Sequence, residues 1–247
     1  MKKFGFIMFF IVNTIFGQNL LIEYSIDIVP IDLKHEKLKD VDPQILNHLK
    51  KTNKNNELVS NIMKIYVVSD GNNFSMHFKD VMPPDGMELV DMNIARGSFF
   101  SGDMSYGCKD ELFIYKKDYP DYLVREIESD VLNWEILPDK KEIAGYTCYK
   151  AIPTFKKEFQ KTPKIYALEY VWFAPEINYV ATPSFFGNTL PGAVLGYKTK
   201  LSEATATKVN KTEVEIEILS DKNKKVLSYV EFNKYIEKYS KKLMGIN

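Results

Sequence analysis

The chain has 247 residues, 45% of them hydrophobic and 27% charged, with 33 basic side chains balancing 33 acidic ones. That composition excludes a disordered or fibrous chain and suits one large folded domain. The even balance of charge excludes a general nucleic-acid binder, which needs basic charge massed against phosphate.

The first segment is expected to direct export. Lys2 and Lys3 precede an apolar run over 4–16, too short to span a bilayer, and Gly17 supplies the small residue before a cut. Cleavage is expected between Gly17 and Gln18, leaving a single domain over 18–247 in the periplasm, on the outer membrane or outside the cell. No cysteine follows the run, so a lipid anchor is not expected. No later stretch approaches the ~18 apolar residues of a spanning helix, so no transmembrane segment is expected after cleavage.

Apolar and polar residues alternate in many segments of the mature chain, and its aromatic richness suits pleated, half-buried strands. A first strand is predicted over 22–29. A polar insertion over 31–57 follows, with Asp42-Pro43 opening a short helix that ends near Lys51. Strands over 63–69 and 73–78 form a hairpin about Asp70-Gly71, whose residues accept the positive φ of a tight turn. Prolines and glycines punctuate 83–107, which reads as an irregular excursion. Strands are predicted over 111–116, 123–128 and 132–137. A charged turn at 139–142 then leads into 143–154. The strand over 165–173 sets Tyr166, Leu168, Tyr170 and Trp172 on one apolar face at period two. Strands over 193–200 and 203–220 complete a sheet. In the last of these, Val214, Ile216 and Ile218 alternate with three glutamates, one face buried and one wet. Ser228 and Glu231 form a capping box that opens a C-terminal helix with an apolar stripe through Phe232 and Ile236. The fold class is mainly β: an antiparallel twisted sheet or partial barrel, with the C-terminal helix and the polar N-terminal insertion packed outside.

The chemistry-bearing residues form few patterns. Cys108 and Cys148 are the only cysteines. In an oxidising compartment they are a candidate disulfide, worth about 4 kcal/mol by closing a loop of about 40 residues; two buried thiols are the alternative. His35, His48 and His77 stand at no ligand spacing, and His35-Glu36 lacks the second histidine of a zinc-protease helix. No metal site and no cofactor is expected. Met76, Met82, Met87, Met92 and Met104 read as core fillers rather than copper ligands, because their spacing is irregular. Ser98 and Ser101 lack a partner histidine and carboxylate in the pattern of a serine hydrolase. Asp85, Glu88, Asp91 and Asp103 are the acids that a carboxylate hydrolase would use; the plainer reading is a solvated loop.

Three blocks between Trp134 and Leu195 resemble the GLPGLI family, exported proteins of Bacteroidota without an established activity. The first is Trp134-Glu135-Ile136 followed by Ile143-Ala144-Gly145-Tyr146-Thr147-Cys148-Tyr149-Lys150-Ala151. The second is Trp172-Phe173-Ala174-Pro175-Glu176-Ile177. The third, Thr189-Leu190-Pro191-Gly192-Ala193-Val194-Leu195, stands where the name motif belongs, with Thr189 in place of its leading Gly. The resemblance implies export and a β-rich fold. In these blocks Gly145 reads as a bulge, Trp134 and Trp172 as large buried areas, and Pro191-Gly192 as a turn. The expected role is a non-enzymatic binding or accessory module of the cell envelope, meeting another envelope protein through its irregular loops. A carrier of lipid-like cargo, lined by the Tyr166-Leu168-Tyr170-Trp172 face, and a hydrolase are the alternatives.

Overall fold

In the computed structural model, which describes residues 18–99, 104–157, 159, 167–183, 185–218 and 223–243, the first alternating stretch is strand β1 (Asn19–Ile28). Leu20, Ile22, Tyr24, Ile26 and Ile28 share its buried face. The export segment expected over 1–17 lies outside the described residues.

Helix α1 (Pro43–Ile62) opens where Asp42 accepts a hydrogen bond from the Gln44 amide at 2.7 Å, with Pro43 where no N–H is needed. It runs well past Lys51, the expected end. Val59, on its last turn, and Met63, which follows it, are buried and hold its end on the sheet. The polar middle is anchored as well, because the Asn53 amide exchanges hydrogen bonds of 2.7 and 2.8 Å with the backbone of Ile31. Strands β2 (Lys64–Ser69) and β3 (Asn73–Phe78) form the expected hairpin. Its turn is held by Asp70, whose carboxylate accepts from the amides of Asn72 and Asn73.

The stretch expected to be irregular contains helix α2 (Leu89–Phe99) and strand β4 (Met104–Cys108). Met92, Ala95 and Phe99 are buried at helical spacing, and Phe99 meets Tyr197 edge-on. Pro83, Pro84 and Gly86 mark the approach to this helix, whereas Gly97 stands in its last turn and Gly107 inside β4.

Strands β5 (Glu111–Tyr115) and β6 (Tyr122–Ile127) follow, then one helical turn, α3 (Glu128–Val131). Strands β7 (Leu132–Ile143) and β8 (Tyr146–Phe155) form a long hairpin. Its turn is Ala144-Gly145, both at positive φ (51° and 83°), as a two-residue hairpin turn requires. The charged 139–142 segment therefore lies inside β7, and Gly145 is a turn residue, not a bulge. The irregularity in this ladder falls between Ile136 and Lys140, around Pro138.

Strands β9 (Leu168–Ala174), β10 (Ala193–Thr199), β11 (Ser202–Thr212) and the short β12 (Lys225–Leu227) complete the sheet. β11 stops at Thr212 because its partner β1 runs out at Asn19. Beyond that point Val214 and Ile218 are exposed, against the expected buried alternation. Helix α4 (Tyr229–Leu243) opens on the expected capping box, with Ser228 N–H donating to the Glu231 carboxylate at 2.9 Å and Glu231 N–H to Ser228 Oγ at 3.3 Å.

Among the described residues the sheet has twelve strands, in the order β12-β6-β5-β4-β3-β2-β1-β11-β10-β9-β8-β7. Every pairing is antiparallel except β12 with β6. β6 and β7 lie toward opposite ends of that order, yet only α3 joins them. A link that short reaches roughly 17 Å, so the sheet must roll until its ends approach. The result is the mainly β, mostly antiparallel sheet that the alternation predicted, rolled but open, with β12 and β7 at its two edges. Tyr24, Ile65, Phe74, Met76 and Tyr197 are among its fully buried side chains. Among the described residues no helix is long and apolar enough to cross a membrane.

Candidate functional site

The first and third sequence blocks meet at one buried carboxylate. Glu128, the first residue of α3, is 2% exposed. It accepts hydrogen bonds from Trp134 Nε1 at 2.5 Å, from the Thr189 hydroxyl, and from the amides of Gly187 and Asn188 at 2.8 and 3.1 Å. The Asn188 side chain then donates to the carbonyls of Cys108 and Glu111, at 2.7 and 3.1 Å. One carboxylate thus ties the corner where the sheet changes ends to the 187–189 turn and, through Asn188, to the β4–β5 turn. Burial pushes the Glu128 carboxyl above the usual carboxylate range, and the four donors pull against that shift without reversing it. Sequence reasoning missed Glu128. In a Glu-Ser-Asp run it looks like any surface turn, and its partners lie six and about sixty residues away.

The Leu-Pro-Gly turn locks onto the second block. Leu190 is buried, and Gly192 sits at φ +145°. A Cβ on Gly192 would lie 2.2 Å from the Ala174 carbonyl oxygen and 2.9 Å from Pro175 Cα, so only glycine permits this approach. The Ile177 amide donates to Ala174 O and the Ala193 amide to Ile177 O, each at 3.1 Å, which closes the loop over the end of β9.

Beside these contacts lies an open groove of about 530 Å³, lined by Ile136, Lys140, Thr147, Tyr149, Phe173, Pro175, Glu176 and Pro191. Tyr149 and Phe173 are cross-strand partners with ring centroids 6.2 Å apart, and they form an aromatic wall. Lys140 Nζ stands 5.0 Å from the Tyr149 ring centre. Glu176, exposed on the other side, supplies the opposite charge. The lining offers apolar surface, one cation, one anion and the hydroxyls of Thr147 and Tyr149. Such a surface is equipped to bind and orient a ligand. Among the described residues no three His, Cys, Asp or Glu side chains converge as a metal ion requires.

Other expected site residues fall elsewhere. Tyr166 lies outside the described residues. Leu168 is buried, but Tyr170 and Trp172 are only half-buried, and on β9 Val171 and Phe173 enter the core instead. The pairing of β9 with β10 skips Glu169, so a bulge there reverses the facing of the strand after Leu168. On the opposite face Lys150 Nζ covers Tyr170 at 4.3 Å and Trp172 at 5.9 Å from the ring centres. The expected apolar lining is therefore split between two faces.

Cys108 and Cys148 are both free thiols. They sit on β4 and β8, with six strands between them in the sheet order, which leaves no direct approach along it. Of the acids expected for a hydrolase, Asp85 and Glu88 are exposed, Asp91 pairs with Lys51 at 3.1 Å, and Asp103 lies outside the described residues. Met76, Met87, Met92 and Met104 are buried, whereas Met82 is 87% exposed. His35 and His48 are exposed, and His77 packs against the Tyr66 ring. Tyr146 is half-buried at the edge of the core.

No family model matches the chain, and no curated protein matches it. Among solved structures it is similar to PNGF-II in two crystal forms. In the C2 form the TM-score is 0.47 at 14% identity, and in the P21 form 0.48 at 15%. Both matches cover 90% of this chain, which spans about a third of PNGF-II (33% and 34%).

Proposed function

We propose that the chain is an exported, GLPGLI-like binding module of the cell envelope whose groove receives a segment of another envelope protein. One observation carries this reading. All three blocks contribute to the lining of one open groove, through Ile136, Thr147 and Tyr149, through Phe173, Pro175 and Glu176, and through Pro191, with Lys140 beside them. A surface of that composition recognises shape and charge.

The test is photo-crosslinking in the native envelope. A photoreactive residue replaces Thr147, which is exposed in the groove, or Val214, which is exposed away from it. A discrete protein adduct formed from position 147 and not from 214, and weakened by Lys140→Glu, is the expected result. An adduct whose added mass is lipid would replace this reading with the carrier. Identical adducts from both positions would remove the groove from consideration.

A further inference from the structure

The hairpin that carries the groove leaves one backbone edge open. β7 is the last strand of the sheet, and among the described residues no strand pairs with its outer side. The register shows which of its groups face out. Lys156 N–H donates to Val131 O at 2.9 Å, so that pair is hydrogen-bonded. In an antiparallel ladder such pairs alternate, and the register then makes Asn133–Thr154 and Glu135–Ile152 hydrogen-bonded too. Pro153, which has no N–H to give, accordingly falls opposite Trp134 at a position that needs none. The N–H and C=O of Trp134 and the N–H of Ile136 therefore point away from β8. The Leu132 N–H, which faces the same way, is taken by Glu128 O.

The two halves of this edge differ. From Pro138 onward it carries a proline, the ladder irregularity, Lys140 and Lys141, the devices by which edge strands refuse a partner. The half from Leu132 to Ile136 has no proline, no lysine and no irregularity. Ile136 is 52% exposed there, and it also lines the groove.

Resting on the binding reading above, we propose that the Trp134–Ile136 edge accepts an extended polypeptide segment as an added strand. A row of outward N–H and C=O groups is the chemistry that selects an extended backbone. The residue paired with Ile136 shares its face, so an apolar side chain there lies along Ile136 toward the Tyr149 wall. The occupant is a segment of a partner protein rather than a second copy. Two-fold pairing centred on Trp134 would set Pro138 and the charged 139–142 run of each copy against the α3 corner of the other.

The probe is the tightest octapeptide selected on the protein from a displayed random library, resynthesised with a single backbone N-methyl group at each position in turn. Strand addition predicts that methylation weakens binding at least tenfold at every second residue and less than twofold between them. Ile136→Pro removes an outward N–H and spares the β8 ladder, so it is expected to weaken the peptide at least tenfold with its urea midpoint close to wild type. Should that variant fail to fold, the methylation series on the wild type decides alone. Binding that ignores methylation yet is lost in Tyr149→Ala overturns strand addition and leaves the groove reading standing. Failure to select any peptide, together with no protein adduct from position 147, removes both. A concentration-dependent dimer abolished by Ile136→Pro assigns the edge to a second copy and overturns the proposal.

Discussion

Replacing Glu128 with Gln tests whether the buried carboxylate holds the rolled sheet together. The amide keeps the shape but presents one oxygen and one NH2 group. In the better orientation its oxygen still accepts from the Gly187 and Asn188 amides, while its NH2 faces Trp134 Nε1 and the Thr189 hydroxyl. The hydroxyl can turn to accept, but the indole N–H cannot. One buried donor is orphaned at about 1–3 kcal/mol, and the remaining bonds lose their charge assistance at about 1 kcal/mol each. Burial outweighs the four donors, so its relief more than offsets the lost charge assistance, and about 2 kcal/mol of destabilisation remains, chiefly from the orphaned indole donor. For a domain of this size that moves the urea midpoint by about 1 M. Trp134 and Trp172 are the only tryptophans, so fluorescence reports on the site directly. In a Trp134→Phe background the orphan is gone, and the cost of Glu128→Gln is expected to fall below about 1 kcal/mol. The pH dependence has a definite sign. Because the folded carboxyl lies above its usual 4.5, the folded state holds its proton more tightly than the unfolded chain. Its contribution is therefore fully present at pH below the unfolded value and is lost as pH rises through the folded value. The wild-type advantage over Glu128→Gln should be larger at acid pH and decline across that window. A variant within 0.5 kcal/mol of wild type at every pH would refute the reasoning.

Gly192→Ala should cost about 3 kcal/mol or more, since its Cβ meets the Ala174 carbonyl; Gly145→Ala, at positive φ in open space, should cost only about 1–2 kcal/mol, and equal thermal shifts would contradict the contrast. Denatured, unreduced protein is expected to titrate two thiols and to show no two-hydrogen mass deficit. In the native state at pH 8 Cys108 should alkylate first, because Cys148 is buried and its thiol is pushed up to about 11; preferential labelling of Cys148 would count against the placement. Ser228→Ala removes the hydroxyl half of the α4 capping box and should lower stability by about 1 kcal/mol in urea titration, with no effect on peptide binding.

Where structure depends on neighbours in the chain, it was legible in the sequence. Asp42-Pro43, Asp70-Gly71 and the Ser228–Glu231 box each act over two to four residues, and each marks the element it predicts. The alternation of strands was legible for the same reason. Which face of an alternating strand turns inward was not, because one bulge reverses it. The bulge at Glu169 sends Val171 and Phe173 into the core and leaves Tyr170 and Trp172 under Lys150. Pairing length escaped as well: β11 ends at Thr212 because β1 begins at Asn19 on the far side of the chain.

The sequence by itself determined the composition of the fold: many short antiparallel strands, capped helices and glycines placed for turns. Tertiary structure alone decided the sheet order, the open edge of β7 and the partners of Glu128. A carboxylate is stable in a protein interior only where several donors reach it together. Those donors come from Trp134 and from residues 187–189, and only the rolled sheet brings them to one point.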